Sequence, residues 1–172
     1  MKIKVLAAMI LLLLASCQEQ LPPQTQTVRV ERVVSGQTLE VSDPETGERD
    51  RVRLLGIQAP NAQQFPWGDA AKQRLQTLVG GEMVRLETDM EPRDRFDRQL
   101  AYVWHDKQLI NEVIVRDGYV LARSYFPNAK YEQRLDFAQQ EARLLDRQIW
   151  NPDNPLRQSL RSNSEFRIQS SS

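Results

Sequence analysis

Arg51-Val52-Arg53-Leu54-Leu55-Gly56-Ile57-Gln58-Ala59-Pro60-Asn61 is the stretch on which the fold turns, because residues 51–57 read as the third of three strands. Before it stands the turn cluster Asp43-Pro44-Glu45-Thr46-Gly47, and before that Gln37-Thr38-Leu39-Glu40-Val41 alternates polar and apolar residues. Val28, Val30 and Val34 carry the strand pattern that opens at Thr27. On the other side, Pro66-Trp67 opens a helix to about Val79, with the proline suited to a first turn and Gly80-Gly81 as the stop. Residues 82–87 and 100–104 are two further strands, and residues 109–117 form a short helix closed by Gly118. A longer helix spans about residues 130–147, where Leu135, Ala138, Ala142, Leu145 and Ile149 recur at helical spacing. The order β-β-β-α-β-β-α-α predicts an α+β fold, a five-stranded OB-type β-barrel with three helices packed beside it.

The 172 residues fit one domain with flexible ends. Lys+Arg and Asp+Glu both number 23. Zero formal charge argues against binding nucleic acid by bulk charge, which calls for a basic excess. One cysteine and one histidine exclude an internal disulfide and a Cys/His zinc site.

Residues 1–16 read as a targeting segment. Lys2 and Lys4 precede the apolar run 5–14, which is too short for a bilayer core of about 30 Å. Leu14-Ala15-Ser16-Cys17 resembles the lipobox of bacterial lipoproteins, in which cleavage precedes a lipidated cysteine. Several acyl chains then anchor stably where one is marginal. The sole cysteine, Cys17, stands at the position the motif needs. Cleavage there leaves 21 basic against 23 acidic residues, and eighteen of the basic residues are arginine. Residues 17–27 read as the lipidated cysteine and a polar, proline-bearing tether. Residues 28–150 form the domain, and residues 151–172, with two prolines and six serines, read as a disordered tail. The implied location is extracytoplasmic, on the outer membrane where there are two, given Gln18 after the cysteine.

Three segments resemble the thermonuclease (staphylococcal-nuclease-like) family. Val33-Val34-Ser35-Gly36-Gln37-Thr38-Leu39 resembles "V-x-D-G-D-T", and the stretch 51–61 resembles "R-L-x-G-I-D-A/T-P-E". Asp94-Arg95-Phe96-Asp97-Arg98-Gln99-Leu100-Ala101-Tyr102-Val103 resembles "D-x-Y-G-R-x-L-A-Y-V". Leu109-Ile110-Asn111-Glu112 and Gly118-Tyr119-Val120 match the helix region that follows, and Tyr131-Glu132-Gln133 leads into the last helix, which ends in Trp150. The resemblance implies an OB-type barrel, and cleavage of DNA and RNA with calcium.

That chemistry needs an acidic cage for the metal, a carboxylate to activate water and two arginines on the phosphate. The family's two metal-binding aspartates are here Gln37 and Gln58, and its general-base glutamate is Asn61. Calcium draws mainly on carboxylate oxygens. An amide takes no proton near neutral pH, and losing a general base costs about 10²- to 10⁴-fold in rate. Ser35, Phe96 and Asp97 depart from the pattern as well. Arg53 and Arg98 remain at the two phosphate-clamp positions, either as an anion site without metal or as structural residues, with Asp97 a candidate partner for Arg98. Tyr125 matches a tyrosine near the bound base, for stacking or for packing, while its neighbour in the pattern is Arg123.

His105, after Trp104 and before Asp106-Lys107, reads as an exposed turn histidine. Asp89, Glu91, Asp94 and Asp97, interleaved by Arg93, Arg95 and Arg98, read as a solvated, self-neutralising loop and not as a metal site. Trp67 and Trp150 read as packing residues. Two functions compete. One is a membrane-anchored, degenerate nuclease domain without a cofactor, monomeric, binding a phosphate-containing ligand or nucleic acid weakly, or a protein partner. The other is an active phosphodiester hydrolase using calcium on extracytoplasmic nucleic acid. Cys17→Ser is expected to release the protein from membranes or leave it unprocessed. Labelled palmitate persisting in that variant would overturn the lipoprotein reading.

Overall fold

The computed structural model describes residues 25–156. The targeting segment, Cys17, most of the expected tether and the tail beyond residue 156 lie outside the described residues. Strand β1 (Thr25–Ser35) begins inside the segment read as tether, where Thr25, Gln26 and Thr27 pair with Glu87, Leu86 and Arg85. Its partner on the other side is β2 (Thr38–Ser42). Two irregularities interrupt that pairing: Val30 faces Val41 but Arg32 faces Glu40, and Val33 faces Leu39 but Ser35 faces Thr38. Each leaves one extra residue on β1, so the alternation resets. Val33 is buried, and Val34, expected from simple alternation, is only half-buried.

The remaining barrel strands are β3 (Arg49–Leu54), β5 (Met83–Glu87) and β6 (Gln99–His105). Antiparallel pairs run β3-β2-β1-β5-β6, and a parallel pairing of β3 with β6 closes the ring. The barrel has five strands, as expected, and closure pairs both of its would-be edges. Val28, Val30, Val33, Leu39, Val41, Val52, Leu54, Val84, Leu86, Ala101 and Val103 fill it. Helix α1 (Trp67–Val79) buries Ala71, Leu75 and Val79 against β1. Helices α2 (Ile110–Arg116) and α3 (Glu132–Leu144) pack on each other, and α2 rests on β6.

Three two-residue strands complete the sheet pairings. β4 (Ile57–Gln58) splits from the expected third strand at Gly56 (φ 71°) and pairs with β8 (Leu121–Ala122). A Cβ at position 56 would lie 2.3 Å from Leu135 Cδ1, so glycine is needed for both the turn and the packing under α3. β7 (Gln108–Leu109) pairs with β6 across Asp106 and Lys107, both at positive φ. Helix α3 is shorter at both ends than the expected span. Leu145 is exposed, and Ile149 is buried from a separate 3-10 turn (Gln148–Trp150), its N–H donating to Gly118 O at 3.1 Å. Beyond Trp150 the Leu156 N–H returns to Ile149 O at 3.0 Å.

Two polar devices fasten helices and loops to the barrel. The fully buried Asn111 accepts from Val103 N at 2.9 Å and donates through Nδ2 to Leu55 O at 2.8 Å, joining α2 to β6 and to the turn after β3. Glu87, at the end of β5, accepts from Trp104 Nε1 at 2.8 Å, from the Tyr131 hydroxyl at 3.2 Å and from Lys130 Nζ. Burial opposes its ionised form, but the Lys130 bond, the Trp104 and Tyr131 bonds and the Lys130 charge together hold the carboxyl below the usual range.

Asn111→Ala strands a buried N–H and a buried carbonyl, so it should cost about 2–4 kcal/mol. A lowered urea midpoint at unchanged slope would show this. Glu87 contributes stability that is full above its unfolded value of about 4.3 and is lost as pH falls through its lower folded value. Glu87→Gln should therefore flatten the acid side of a denaturation midpoint-versus-pH curve.

Candidate functional site

Strand partners point to the same side of a sheet, and so do residues two apart along a strand. Val52 faces Gln99 and Arg53 faces Leu100, which puts Arg98 diagonally beside Arg53 on one face. Val52 and Leu54 point into the barrel, so that face is the outer one. The parallel closure thus brings together two arginines that are 45 positions apart in the chain.

The Arg53 guanidinium curls over the Gly56 turn. Nη2 donates to Ile57 O at 2.7 Å and Nη1 donates to Leu54 O. Burial pushes its pKa down to about 10 and the charge of Arg98 acts in the same direction, while Tyr125 and Asp94 oppose. Its hydrogen bonds go to carbonyls, and two like charges stand close, an arrangement that an anion relieves.

Arg98 is held differently. Its Nε and Nη2 contact Asp94 Oδ2 at 2.8 and 2.6 Å, while Asp94 Oδ1 accepts the N–H groups of Phe96 and Arg98 at 2.9 and 3.0 Å. The Asp94 carboxylate is almost wholly buried. Burial disfavours its charge, but the Arg98 bond and those N–H groups hold its pKa below the usual value. Asp97, expected as the candidate partner of Arg98, is not. It sits at φ 61°, 90% exposed, its carboxylate 3.6 Å from Arg93 Nη1. The left-handed backbone turns its side chain away, so Asp94 is the bracket and the loop reading of a solvated Asp94 is corrected. Arg93 is further tied to Asp50 at 2.7 Å. The i,i+4 spacing of Asp94 and Arg98 is the signal in the sequence for this pair.

Gln58 and Asn61 flank Ala59 in the chain, and Gln37 reaches it from the turn between β1 and β2. Gln37 Oε1 accepts the Ala59 N–H at 2.7 Å. Gln58 is half-buried on β4 and follows Ile57, the carbonyl that holds Arg53. Asn61 is exposed and shapes a turn: Oδ1 accepts from Gln63 N, and its own N–H donates to Gln64 Oε1, both at 2.9 Å. This donor set does not fit calcium. It is neutral at all three positions, its Gln37 oxygen already serves a backbone N–H, and among the described residues no group of three His, Cys, Asp or Glu side chains stands close enough to share an ion.

Tyr125 is half-buried against Leu55, Leu100, Tyr102 and Leu109, and the exposed Arg123 donates its N–H to Gly56 O at 2.8 Å. His105 lies apart from this site at the end of β6. It is half-buried instead of exposed, with Glu82 and Asp106 carboxylates 3.9 and 3.8 Å from Nε2. Asp89 receives the Lys130 N–H at 3.1 Å. Trp67 is buried, and Trp150 packs its ring under Arg143 at 4.3 Å.

The model of the family described as "Staphylococcal nuclease homologue" matches residues 51–152. The chain is 35% identical over 131 residues to a thermonuclease of Staphylococcus hyicus, covering 73% of this chain and 76% of that protein. It is 36% identical over 126 residues to a thermonuclease of Staphylococcus intermedius, with 70% and 74% covered. With Endonuclease YncB of Bacillus subtilis it shares 31% over 131 residues, 72% of this chain and 61% of that one. A closed five-stranded barrel with the arginine pair on its outer face, and these relatives, place the chain in the staphylococcal nuclease homologue family.

Proposed function

We propose that this is a divergent, membrane-anchored member of the family that binds a phosphate-bearing ligand through Arg53 and Arg98 without calcium-dependent hydrolysis. The observation that carries the reading is the contrast within one site. Arg53 and Arg98 stand on the same outer face of the barrel, Arg53 hydrogen-bonded to the Leu54 and Ile57 carbonyls and its pKa lowered in part by the charge of Arg98. Beside them the metal and base positions are neutral amides, one already hydrogen-bonded to Ala59. Guanidinium forks hold phosphate oxygens without a metal. Hydrolysis would need a group to take a proton from water, and Asn61 has none to offer. The anchor is Cys17, which would hold the domain on the extracytoplasmic side of a bacterial membrane, the outer one where there are two.

A chelator-controlled nuclease assay on single-stranded DNA should show no calcium-dependent cleavage. Robust cleavage abolished by chelator and retained through repurification would establish the active-nuclease reading instead. Inorganic pyrophosphate should bind without metal at about 0.1–1 mM, roughly 4 to 5.5 kcal/mol, and more weakly as salt rises. Arg53→Ala and Arg98→Ala should each abolish binding. Asp97→Gly should leave it unchanged, because Asp94 holds Arg98. Resonances around both arginines that stay unmoved at millimolar pyrophosphate would refute the site.

A further inference from the structure

The outer face of β1, β5 and β6 carries a cationic cleft of its own. Register partners set Thr27, Arg85 and Trp104 in one row across these strands, with Arg29 and Met83 facing each other in the next. Val28, Val84 and Val103 point into the barrel, so both rows point out. Together with Lys107 of the β6–β7 turn they line a cleft of about 520 Å³. Arg85 lies over the Trp104 ring, 5.4 Å from its centroid, and Arg29 donates to Gly81 O at 3.0 Å. Among the described residues no carboxylate pairs with Arg29, Arg85 or Lys107. The carboxylates of the cleft, Glu82 and Asp106, stand 3.9 and 3.8 Å from His105 Nε2 instead. They lie at the end of the sheet away from Thr25, which pairs with Glu87. Met83 is an exposed apolar side chain between the cations. The neighbour order β3-β2-β1-β5-β6, closed by β6 on β3, leaves β3 touching neither β1 nor β5. The cleft and Arg53 are thus on opposite sides of the barrel.

We propose that this cleft seats the phosphate of an anionic phospholipid headgroup, so that the domain docks on its own membrane through β1 and β5 with Arg53 turned away from the bilayer. The inference rests on the reading of Cys17 as a lipid anchor and adds the face that meets the lipid. Eight residues, 17–24, separate the anchor from β1, and they span at most about 28 Å. Thr27 and Arg29 follow two and four residues later, so the cleft is the part of the barrel face nearest in the chain to the anchor. A short tether holds a domain at an effective concentration of the millimolar order, which suffices to fill a site of about 1 mM affinity. Guanidinium forks suit phosphate oxygens, and each cation near an anionic surface adds attraction. The chain from Cys17 onward has 21 basic against 23 acidic residues, so its bulk charge gives no attraction to such a surface. Attraction must come from a local concentration of cations, which the cleft supplies.

The test uses the chain from residue 17 onward carrying Cys17→Ser, mixed at millimolar lipid with phosphatidylcholine vesicles with and without phosphatidylglycerol. It should sediment with the anionic vesicles alone, and less as salt rises. Arg85→Gln and Lys107→Gln should each weaken vesicle binding about 5-fold and leave pyrophosphate binding unchanged. Arg51→Gln, an equal loss of charge on β3, should leave vesicle binding as it is. A gadolinium-chelating lipid should broaden the amide resonances of Thr27, Met83 and Arg85 and spare those of Arg53 and Arg98. Broadening centred on Arg53 and Arg98, or Arg51→Gln as damaging as Arg85→Gln, would overturn the proposal. Pyrophosphate that moves the Arg85 resonance as far as vesicles do would make the cleft a site for free phosphate and overturn the lipid assignment. Palmitate labelling of the full chain separates the two readings. Label present with no vesicle binding would overturn the cleft alone, whereas vesicle binding with no label would overturn the anchor and support the cleft.

Discussion

The parallel pairing of β3 with β6 is the constraint from which the site follows. Parallel neighbours cannot be joined by a tight turn, so the chain must travel through β4, α1 and β5 before β6 can dock. Strand β1 serves β5 along Thr25–Arg29 and β2 along Arg29–Ser35, and the bulges in that second half bend it and increase its twist. Once β6 is seated, the register Arg53 against Leu100 leaves Arg98 no other place than beside Arg53. The core and the site are therefore two sides of one piece of sheet: Val52, Leu54 and Ala101 fill the barrel while Arg53 and Arg98 face outward.

The fold is held by groups that the altered site does not touch. Asn111 satisfies a buried N–H and a buried carbonyl, and Glu87 gathers Lys130, Trp104 and Tyr131. Amides in place of acids at the three positions around Ala59 keep nearly the same shape and give up the charge. Gln37 even finds structural work there, as an acceptor for Ala59. A barrel can thus hold its architecture with neutral amides at these three positions.

Much of this is legible in the sequence, because the barrel strands and helices follow simple periods. Val28, Val30, Leu39, Val41 and Val52 face inward as alternation requires, and Leu135, Ala138 and Ala142 line one side of α3. The departures have physical causes. Val34 breaks the alternation because a bulge adds a residue that no local pattern announces. Leu145 and Ile149 continue a helical spacing across a chain reversal at Asp146 and Gln148, both at positive φ, which periodicity does not register. At the site, motif positions single out Arg53, Arg98 and the three amides. They do not single out the partner of Arg98, because adjacency in the chain says nothing about direction when the backbone is left-handed at Asp97.

The loop over residues 123–131 is tied at both ends and in the middle: Arg123 N to Gly56 O, Asn128 to Glu91, and Lys130 with Tyr131 to Glu87. A segment pinned at three points has little conformational freedom left to surrender. Association at its surface would then proceed close to rigid-body docking, with little ordering entropy to offset the attraction and no slow closure step to limit the rate of arrival. Selectivity in such a surface comes from where the groups already stand, so small displacements of Glu87 or Asn128 would be felt at Tyr125 and Phe126 although both anchors are themselves buried.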